Sequence, residues 1–185
     1  MKGLQTIGLV VLLACSVPAR GDVASGPAVG EAVKDLKVFA VVGPVEGKDV
    51  NYIKERQDAP TVYAFVQSEF WSRPMARFLK TLDMGAKDVD EKAGIVAVWL
   101  SEKPDEAKDY LPKAQMSLQF QNTALAVFPG EKSGPEGWAI NNDAHLTIVV
   151  VNKGKVAASL AYQSVNETDV DKVREALKKA VGKKE

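Results

Sequence analysis

The stretch PTVYAFVQSEFWSRPMARFLKTLD, residues 60–83, decides the fold of this chain. Its first eight residues form an apolar run of the kind found in strands that are buried on both faces. The run ends before FWSRPM, residues 70–75, in which Pro74 suits the first turn of a helix because its missing N–H costs nothing there. The apolar positions that follow recur at helical spacing: Met75, Phe78, Leu79 and Leu82. The sequence therefore predicts a buried strand that turns directly into an amphipathic helix.

Similar patterns along the chain predict the remaining elements. Apolar runs at 36–44, 93–101 and 123–130 indicate three more strands, and residues 145–163 read as a β-hairpin that turns near Gly154. A helix is expected from Pro104 to about Ser117, and a last helix after Ser164 buries a stripe of valines and Leu177. Ser164 and Asn166 are its candidate caps, with Glu167 three residues after Ser164. This order, β, β-α-β-α-β, hairpin, α, predicts an α/β fold with a mostly parallel sheet covered by helices.

The composition excludes several function classes. The chain has 185 residues, 46% hydrophobic, with 24 basic residues against 24 acidic ones. That length and composition predict one ordinary domain. A net charge of zero gives no field that would draw the protein to nucleic acid or to an anionic membrane surface. A single histidine and acidic segments without a calcium-loop pattern predict no metal and no cofactor.

The first residues predict export by one of two routes. Residues 7–14 are apolar but too few to span a bilayer, which fits an export signal. Cleavage after Ala19 would make 1–19 a signal peptide. Alternatively, residues 12–15 resemble a bacterial lipobox, so that 1–14 would be removed and Cys15 lipidated as the only membrane attachment. Residues 20–32, rich in small residues, are predicted to be a flexible tether, and 33–185 the domain.

The order of elements and the FWSRPM segment resemble the thioredoxin-like superfamily in its peroxiredoxin-like, redoxin form. In that family the strand ends and Trp-Cys-Gly-Pro-Cys opens the helix. Trp71 and Pro74 match the pattern, while Ser72 and Met75 stand at the two cysteine positions and Arg73 replaces the glycine. The segment HLTIVVVNKGKVAAS, residues 145–159, resembles the family's penultimate strand and turn. The resemblance implies a central mixed sheet with helices on both faces, closed by a β-hairpin plus helix.

The chain also resembles exported redoxin-like proteins of planctomycete-type bacteria, but the cysteines of their Cys-Tyr-x-Cys-Arg segment are absent from NYIKE, residues 51–55. Cys15 is the only cysteine of the chain. Disulfide exchange and peroxide reduction both require a thiolate, which the hydroxyl of Ser72 cannot supply. The family's cis-proline is missing too, since Ala144 or His145 stands at its place.

These substitutions favour a non-catalytic module of the cell envelope that binds a protein or peptide partner. The predicted binding residues are Phe70, Trp71, Ser72, Arg73, Pro74, Ala144 and His145.

Three alternatives remain open at this point. A redoxin-related oxidoreductase or peroxidase could act with a partner's thiol, and a purely structural envelope lipoprotein is a further option. A hydrolase could use Ser72 as nucleophile and His145 as base, with Asp143 or Glu69 as orienter. Against that stands the simpler interpretation that Ser72 caps the helix and His145 is an ordinary residue at a strand end.

Overall fold

A computed structural model of the chain describes residues 23–183. The predicted signal peptide, the alternative lipidation of Cys15 and residues 20–22 of the predicted tether lie outside this range. No helix within the described range is long and apolar enough to cross a membrane.

A single seven-stranded sheet organises the described residues. Its strands are β1 (Lys37–Val42), β2 (Lys48–Asn51), β3 (Thr61–Gln67), β4 (Gly94–Leu100), β5 (Thr123–Phe128), β6 (Leu146–Asn152) and β7 (Lys155–Tyr162). Their spatial order is β2-β1-β5-β4-β3-β6-β7. β3, β4 and β5 run parallel, whereas β1, β2, β6 and β7 join by antiparallel pairing. The predicted mixed sheet with a closing antiparallel hairpin is confirmed.

Helices cover the two faces of the sheet unequally. The helices are α1 (Tyr52–Arg56), α2 (Arg73–Val89), α3 (Pro104–Leu118) and α4 (Val170–Ala180). Buried side chains of α2, α3 and α4 share one apolar cluster with one face of the sheet. Tyr52 of α1 belongs to the opposite cluster, together with Trp138 and Ile140 of the long connection between β5 and β6. Helices therefore lie on both faces, as predicted. On the face that packs against α1, however, much of the cover comes from the connection between β5 and β6, which has no regular secondary structure.

β2 and α1 were not predicted from the sequence, and tertiary contacts explain why they form. The side-chain oxygen of Asn51 accepts hydrogen bonds from the backbone N–H groups of Ile53 and Leu36, both at 3.1 Å. The N–H of Tyr52 donates to the carbonyl oxygen of Leu36 at 3.0 Å, and its side chain is only 2% exposed. Asn51 thus caps α1 and ties it to the chain entering β1.

The predicted flexible tether is wrong for residues 23–32, which lie against the hairpin. The N–H of Gly30 donates to the carbonyl of Val156 at 2.8 Å, and the N–H of Val156 donates to the carbonyl of Glu31 at 2.9 Å. The hydroxyl of Ser159 donates to the carbonyl of Pro27 at 2.7 Å. Small residues permit this approach: Gly26 has φ +94°, and a Cβ there would lie 2.9 Å from Ser159.

A buried carboxylate fixes α2 relative to β5. Asp83 is 1% exposed, and its side chain accepts hydrogen bonds from the N–H groups of Gln121 (2.9 Å) and Asn122 (2.8 Å) and from the hydroxyl of Thr123 (2.7 Å). Three donors satisfy a group that would otherwise be costly to bury. The position of α2, which begins at the candidate site, is set by this contact as well as by its apolar face.

The last helix begins with a cap at one of the two predicted residues. The side chain of Asn166 accepts from the N–H of Thr168 at 2.9 Å, and Asp169 accepts from the N–H of Asn166 at 3.1 Å. This capping box opens a short 3-10 turn, Glu167–Asp169, that leads into α4. Asn166 is confirmed as a cap, but its reciprocal partner is Asp169, and the predicted pairing of Ser164 with Glu167 does not form.

Candidate functional site

The turn after β3 has the backbone that the sequence predicts. A 3-10 turn, Ser68–Phe70, ends the strand, and Ser72 is the N-cap of α2 with Pro74 in its first turn. Ser72 thus stands at the N-cap position, as the capping interpretation requires, but its hydroxyl makes no capping hydrogen bond. Ser72, Arg73 and Pro74 are exposed, whereas Met75 is 2% exposed and packs in the core. Of the two family cysteine positions, the first faces solvent and the second is occupied by a core methionine.

The structure brings this turn together with His145. The rings of Phe70 and His145 are stacked, with centroids 3.6 Å apart and planes inclined by 13°. The backbone holds them in place, since the N–H of Gln67 donates to the carbonyl of His145 at 3.1 Å. Phe70 is still 38% exposed. An aromatic pair is therefore presented at the surface where the resemblance places the family's active site.

Among the described residues, the side chains of Ser72 and His145 do not form the hydrogen bond that a hydrolase pair requires. The His145 ring stacks on Phe70 instead, and the carboxylate of Glu69, one of the two suggested orienters, accepts from Lys132 at 2.9 Å. A general base must lie within hydrogen-bonding reach of the nucleophile's proton. The side-chain arrangement of this structure does not supply that contact.

Ala144 does not contribute a side chain to the surface. It is 1% exposed, and its N–H donates to the carbonyl of Asn141 at 3.0 Å. The prediction that Ala144 is a binding residue is therefore wrong for its side chain, because the methyl group is buried. All peptide bonds of the described residues are trans. The loop thus reaches β6 without the cis bond found in the family.

An aromatic cavity of about 530 Å³ opens beside the turn. The indole N–H of Trp71 donates to the hydroxyl of Tyr110 at 2.7 Å. The rings of Trp71 and Trp99 lie 4.9 Å apart at 58°. The turn, β4 and α3 each supply one of these rings. Sequence reasoning missed Trp99 and Tyr110 because they stand far from Trp71 in the chain and only the fold brings them together.

A second cavity, which we call the loop cavity, lies at the same edge of the sheet. Its volume is about 680 Å³, and most of its lining comes from the loops after β4 and β5. Ser101, Glu102 and Lys132 line both this cavity and the aromatic cavity. The carboxyl ends of β3, β4 and β5 meet here, as parallel strands place them. In open α/β sheets such an edge is the usual position of a ligand site.

Lys132 stands between the two cavities. Its ammonium group lies 2.9 Å from a carboxylate oxygen of Glu69 and 2.9 Å from one of Glu102. Its backbone carbonyl accepts from the side-chain amide of Gln67 at 2.9 Å. Hydrogen bonds to Glu102 and Glu69 raise the pKa of Lys132, so it is charged at neutral pH. The loops that follow β3, β4 and β5 are joined by this one cation.

Within residues 23–183, no group of three or more histidine, cysteine, aspartate or glutamate side chains is placed to hold a metal ion. These residues also contain no cysteine. The polar and aromatic side chains that line the two cavities offer a ligand aromatic rings, carboxylates, amines, hydroxyls and the amide of Asn142.

Comparison with known proteins supports the fold. No protein-family model and no curated protein sequence matches this chain. A solved structure named as a DsbE thiol:disulfide interchange protein from Chlorobium tepidum is 18% identical, with a TM-score of 0.62 over 84% of this chain and 99% of that one. The exposed lipoprotein thioredoxin Etrx1 from Streptococcus pneumoniae is 17% identical, with a TM-score of 0.57 over 79% of this chain and 99% of that one. Peroxidoxin BcpB from Mycobacterium tuberculosis is 16% identical, with a TM-score of 0.60 over 83% of this chain and 97% of that one. The predicted thioredoxin-like fold is confirmed.

Proposed function

We propose that this chain is an exported thioredoxin-fold module that binds a protein or peptide and has no redox centre of its own. The observation that carries the proposal is the stacked pair of Phe70 and His145, 3.6 Å apart, of which Phe70 is exposed and His145 half-buried at the edge where the parallel strands end. A partly exposed aromatic ring beside an aromatic cavity offers the kind of anchor contact that dominates many protein interfaces.

The absence of a thiol argues for binding rather than redox turnover. Ser72 and Met75 occupy the two family cysteine positions, and residues 23–183 contain no cysteine. Disulfide exchange moves electron pairs between sulfur atoms, so a chain without thiols can take part only by holding a partner that has them. The scaffold is retained while its reactive atoms are replaced, which is the pattern expected of a fold kept for recognition.

The exposed groups of the turn suit a polypeptide ligand. Phe70 offers an apolar face, and the exposed guanidinium of Arg73 offers several N–H donors to peptide carbonyls or carboxylates. Trp71 contacts Tyr110 and Trp99 in the aromatic cavity and so belongs to the same continuous surface.

The location proposed for this interaction is the cell envelope. The apolar residues 7–14 and the alternatives of cleavage after Ala19 or lipidation at Cys15 all predict export. Support comes from the fold neighbours, one of which is named an exposed lipoprotein thioredoxin.

The test is a retention experiment with matched variants. Wild-type protein is immobilised and exposed to an envelope extract, and retained proteins are quantified by mass spectrometry. The double variant Phe70→Ala/Arg73→Glu is compared with Met84→Ala/Lys87→Glu, which likewise truncates one exposed apolar side chain and reverses one positive charge, on α2 away from the turn. For a defined set of proteins, we expect the amount retained by the turn variant to be at least five-fold lower than the amount retained by the wild type, because truncation of an anchor residue has an effect of this size.

Equal recovery with the wild type and the turn variant would show that this surface does not bind the partner. The remaining alternative is a redoxin-related oxidoreductase or peroxidase. Assays of insulin reduction and peroxide consumption with a Cys15→Ser protein test it. Turnover by that protein alone would replace the binding proposal with an enzymatic one.

A further inference from the structure

The aromatic cavity and the loop cavity together form one cleft with an internal ion-pair wall. They share Ser101, Glu102 and Lys132, and the pair of Glu102 and Lys132, 2.9 Å apart, stands between them. We call the two cavities and this wall the strand-end cleft. Arg73 lines neither cavity.

The strand-end cleft carries an excess of negative charge. Its charged lining residues are four carboxylates and two ammonium groups: Glu69, Glu102, Glu106, Glu131, Lys103 and Lys132. The formal balance is −2, in a chain whose own net charge is zero. The lining thus differs in charge from the protein as a whole.

Exposure strengthens this imbalance at the mouth of the cleft. The side chain of Lys132 is only 25% exposed, whereas those of Glu102 and Glu106 are 74% and 71% exposed. Lys132 is shared between two carboxylates, and Lys103 lies 2.9 Å from Glu106. Lys132 is therefore recessed behind Glu102, whereas Lys103, whose side chain is 70% exposed, reaches solvent beside its partner Glu106.

We infer that the strand-end cleft binds a basic peptide segment, with an apolar side chain in the aromatic cavity and a neighbouring lysine or arginine on Glu102 and Glu106. This inference rests on the proposed function and names the chemistry of its partner. The ligand cation would pair with Glu102 in place of Lys132, and Lys132 would keep its ion pair with Glu69. One ion pair of Glu102 would thus be exchanged for another. The aromatic faces of Trp71 and Tyr110 attract cations as well.

The arrangement disfavours an acidic ligand. Such a ligand would have to approach Glu102 to reach the recessed Lys132, and the exposed Lys103 is already paired with Glu106 at 2.9 Å. Like charges placed together weaken association. Because both glutamates are well exposed, their attraction to a basic ligand is screened by salt and governs selectivity more than absolute affinity.

The first test compares three peptides with one apolar core. Peptides of the pattern GxxFLxxG, with x as lysine or arginine, as glutamine or as glutamate, are titrated into the purified protein. Binding is followed by the indole NMR signals of Trp71 and Trp99, with the buried Trp138 as an internal reference. We expect the basic peptide to bind at least ten-fold more tightly than the acidic one, with an advantage that shrinks as salt rises from about 0.05 to 0.5 M.

The second test uses charge-neutralising variants. Glu102→Gln/Glu106→Gln is expected to weaken the basic peptide at least five-fold and to flatten its salt dependence. The control Glu175→Gln removes an exposed carboxylate of α4 and is expected to change neither. Tyr110→Ala removes a wall of the aromatic cavity and is expected to weaken all peptides that bind.

Each other outcome overturns the inference in its own way. Equal or tighter binding of the neutral or acidic peptide overturns the basic ligand while leaving a peptide-binding turn intact. Failure of every peptide, together with retention of envelope proteins that Phe70→Ala/Arg73→Glu does not reduce, overturns both proposals. Concentration-dependent self-association abolished by Glu102→Gln/Glu106→Gln would show that a second copy, through its lysine-rich C-terminal segment, is the occupant instead.

Discussion

Replacing Ser72 with cysteine tests whether the turn after β3 has kept the electrostatics of a thiol site. Ser72 is the exposed N-cap of a 17-residue helix, and its hydroxyl makes no capping bond. A thiolate there faces the positive end of the helix dipole. Ser117 offers a matched control because it is an exposed serine in the last turn of α3, at the negative end of a 15-residue helix. Both substitutions are made in a Cys15→Ser background, so that each protein has a single thiol.

The structure sets the size of the expected difference. A charge at a helix end is stabilised by about 0.3–1 kcal/mol, and up to ~2 in favourable geometry, with one pKa unit equal to about 1.4 kcal/mol. Pro74 has no N–H, so one donor of the first turn is missing, while the neighbouring Arg73 acts in the stabilising direction. We therefore expect the thiol at position 72 to titrate about one unit below the usual value of roughly 8.5, and the thiol at position 117 at or slightly above it.

The assay is the pH dependence of alkylation by iodoacetamide, checked by thiolate absorbance in the ultraviolet. Two thiols that titrate within about 0.3 units of each other would refute the reasoning, because the turn would then provide no more stabilisation than a helix C-terminus does. A higher pKa at position 72 than at position 117 would refute it more strongly.

Three further predictions concern stability. Asp83→Ala leaves one buried and two part-buried donors without their acceptor and is expected to lower the free energy of unfolding by about 2–4 kcal/mol in urea titrations; a loss under ~1 would contradict the proposed anchor. Burial raises the pKa of Tyr52 to about 12 and that of Tyr63 further. In the unfolded chain both hydroxyls ionise near pH 10. Their contribution to the free energy of unfolding is therefore intact below about pH 9 and declines from pH 10 through 12, by roughly 2 kcal/mol for Tyr52. Tyr52→Phe should flatten this decline with pH. Trp138→Ala removes a ring that packs against Tyr63 at 5.3 Å and should cost about 3–5 kcal/mol in the same titration, unless the connection between β5 and β6 does not cover the sheet.

Strong local patterns made most of the fold predictable. The apolar runs and the hairpin pattern predicted six of the seven strands, because fully buried strands need continuous apolar residues, and Pro74 marked the first turn of α2. β2 and α1 escaped prediction because KDVN and YIKER are short and polar, and the stabilising contact of Asn51 with Leu36 spans 15 residues. Residues 23–32 were misjudged because small residues are typical of linkers as well as of segments that lie close to a sheet.

The candidate site was predictable only where its residues are neighbours in the sequence. The turn at residues 70–75 is visible in the sequence, and the resemblance placed His145 beside it. The stacking on Phe70, in place of a hydrogen bond to Ser72, depends on side-chain geometry that no spacing encodes. Lys132 lies 63 residues after Glu69 in the chain, so its position between the two cavities emerges only from the assembled sheet.

An NMR titration of the single histidine shows directly whether the turn after β3 contacts a bound partner. His145 is the only histidine of the chain and stacks on Phe70, so its imidazole signals report on the turn alone. On addition of a partner recovered by the retention experiment, we expect the signals of His145 and the Trp71 indole to shift together while the buried Trp138 indole stays in place. A bound partner that leaves the signals of His145 and Trp71 unshifted would show that recognition occurs elsewhere on the molecule and not at the turn after β3.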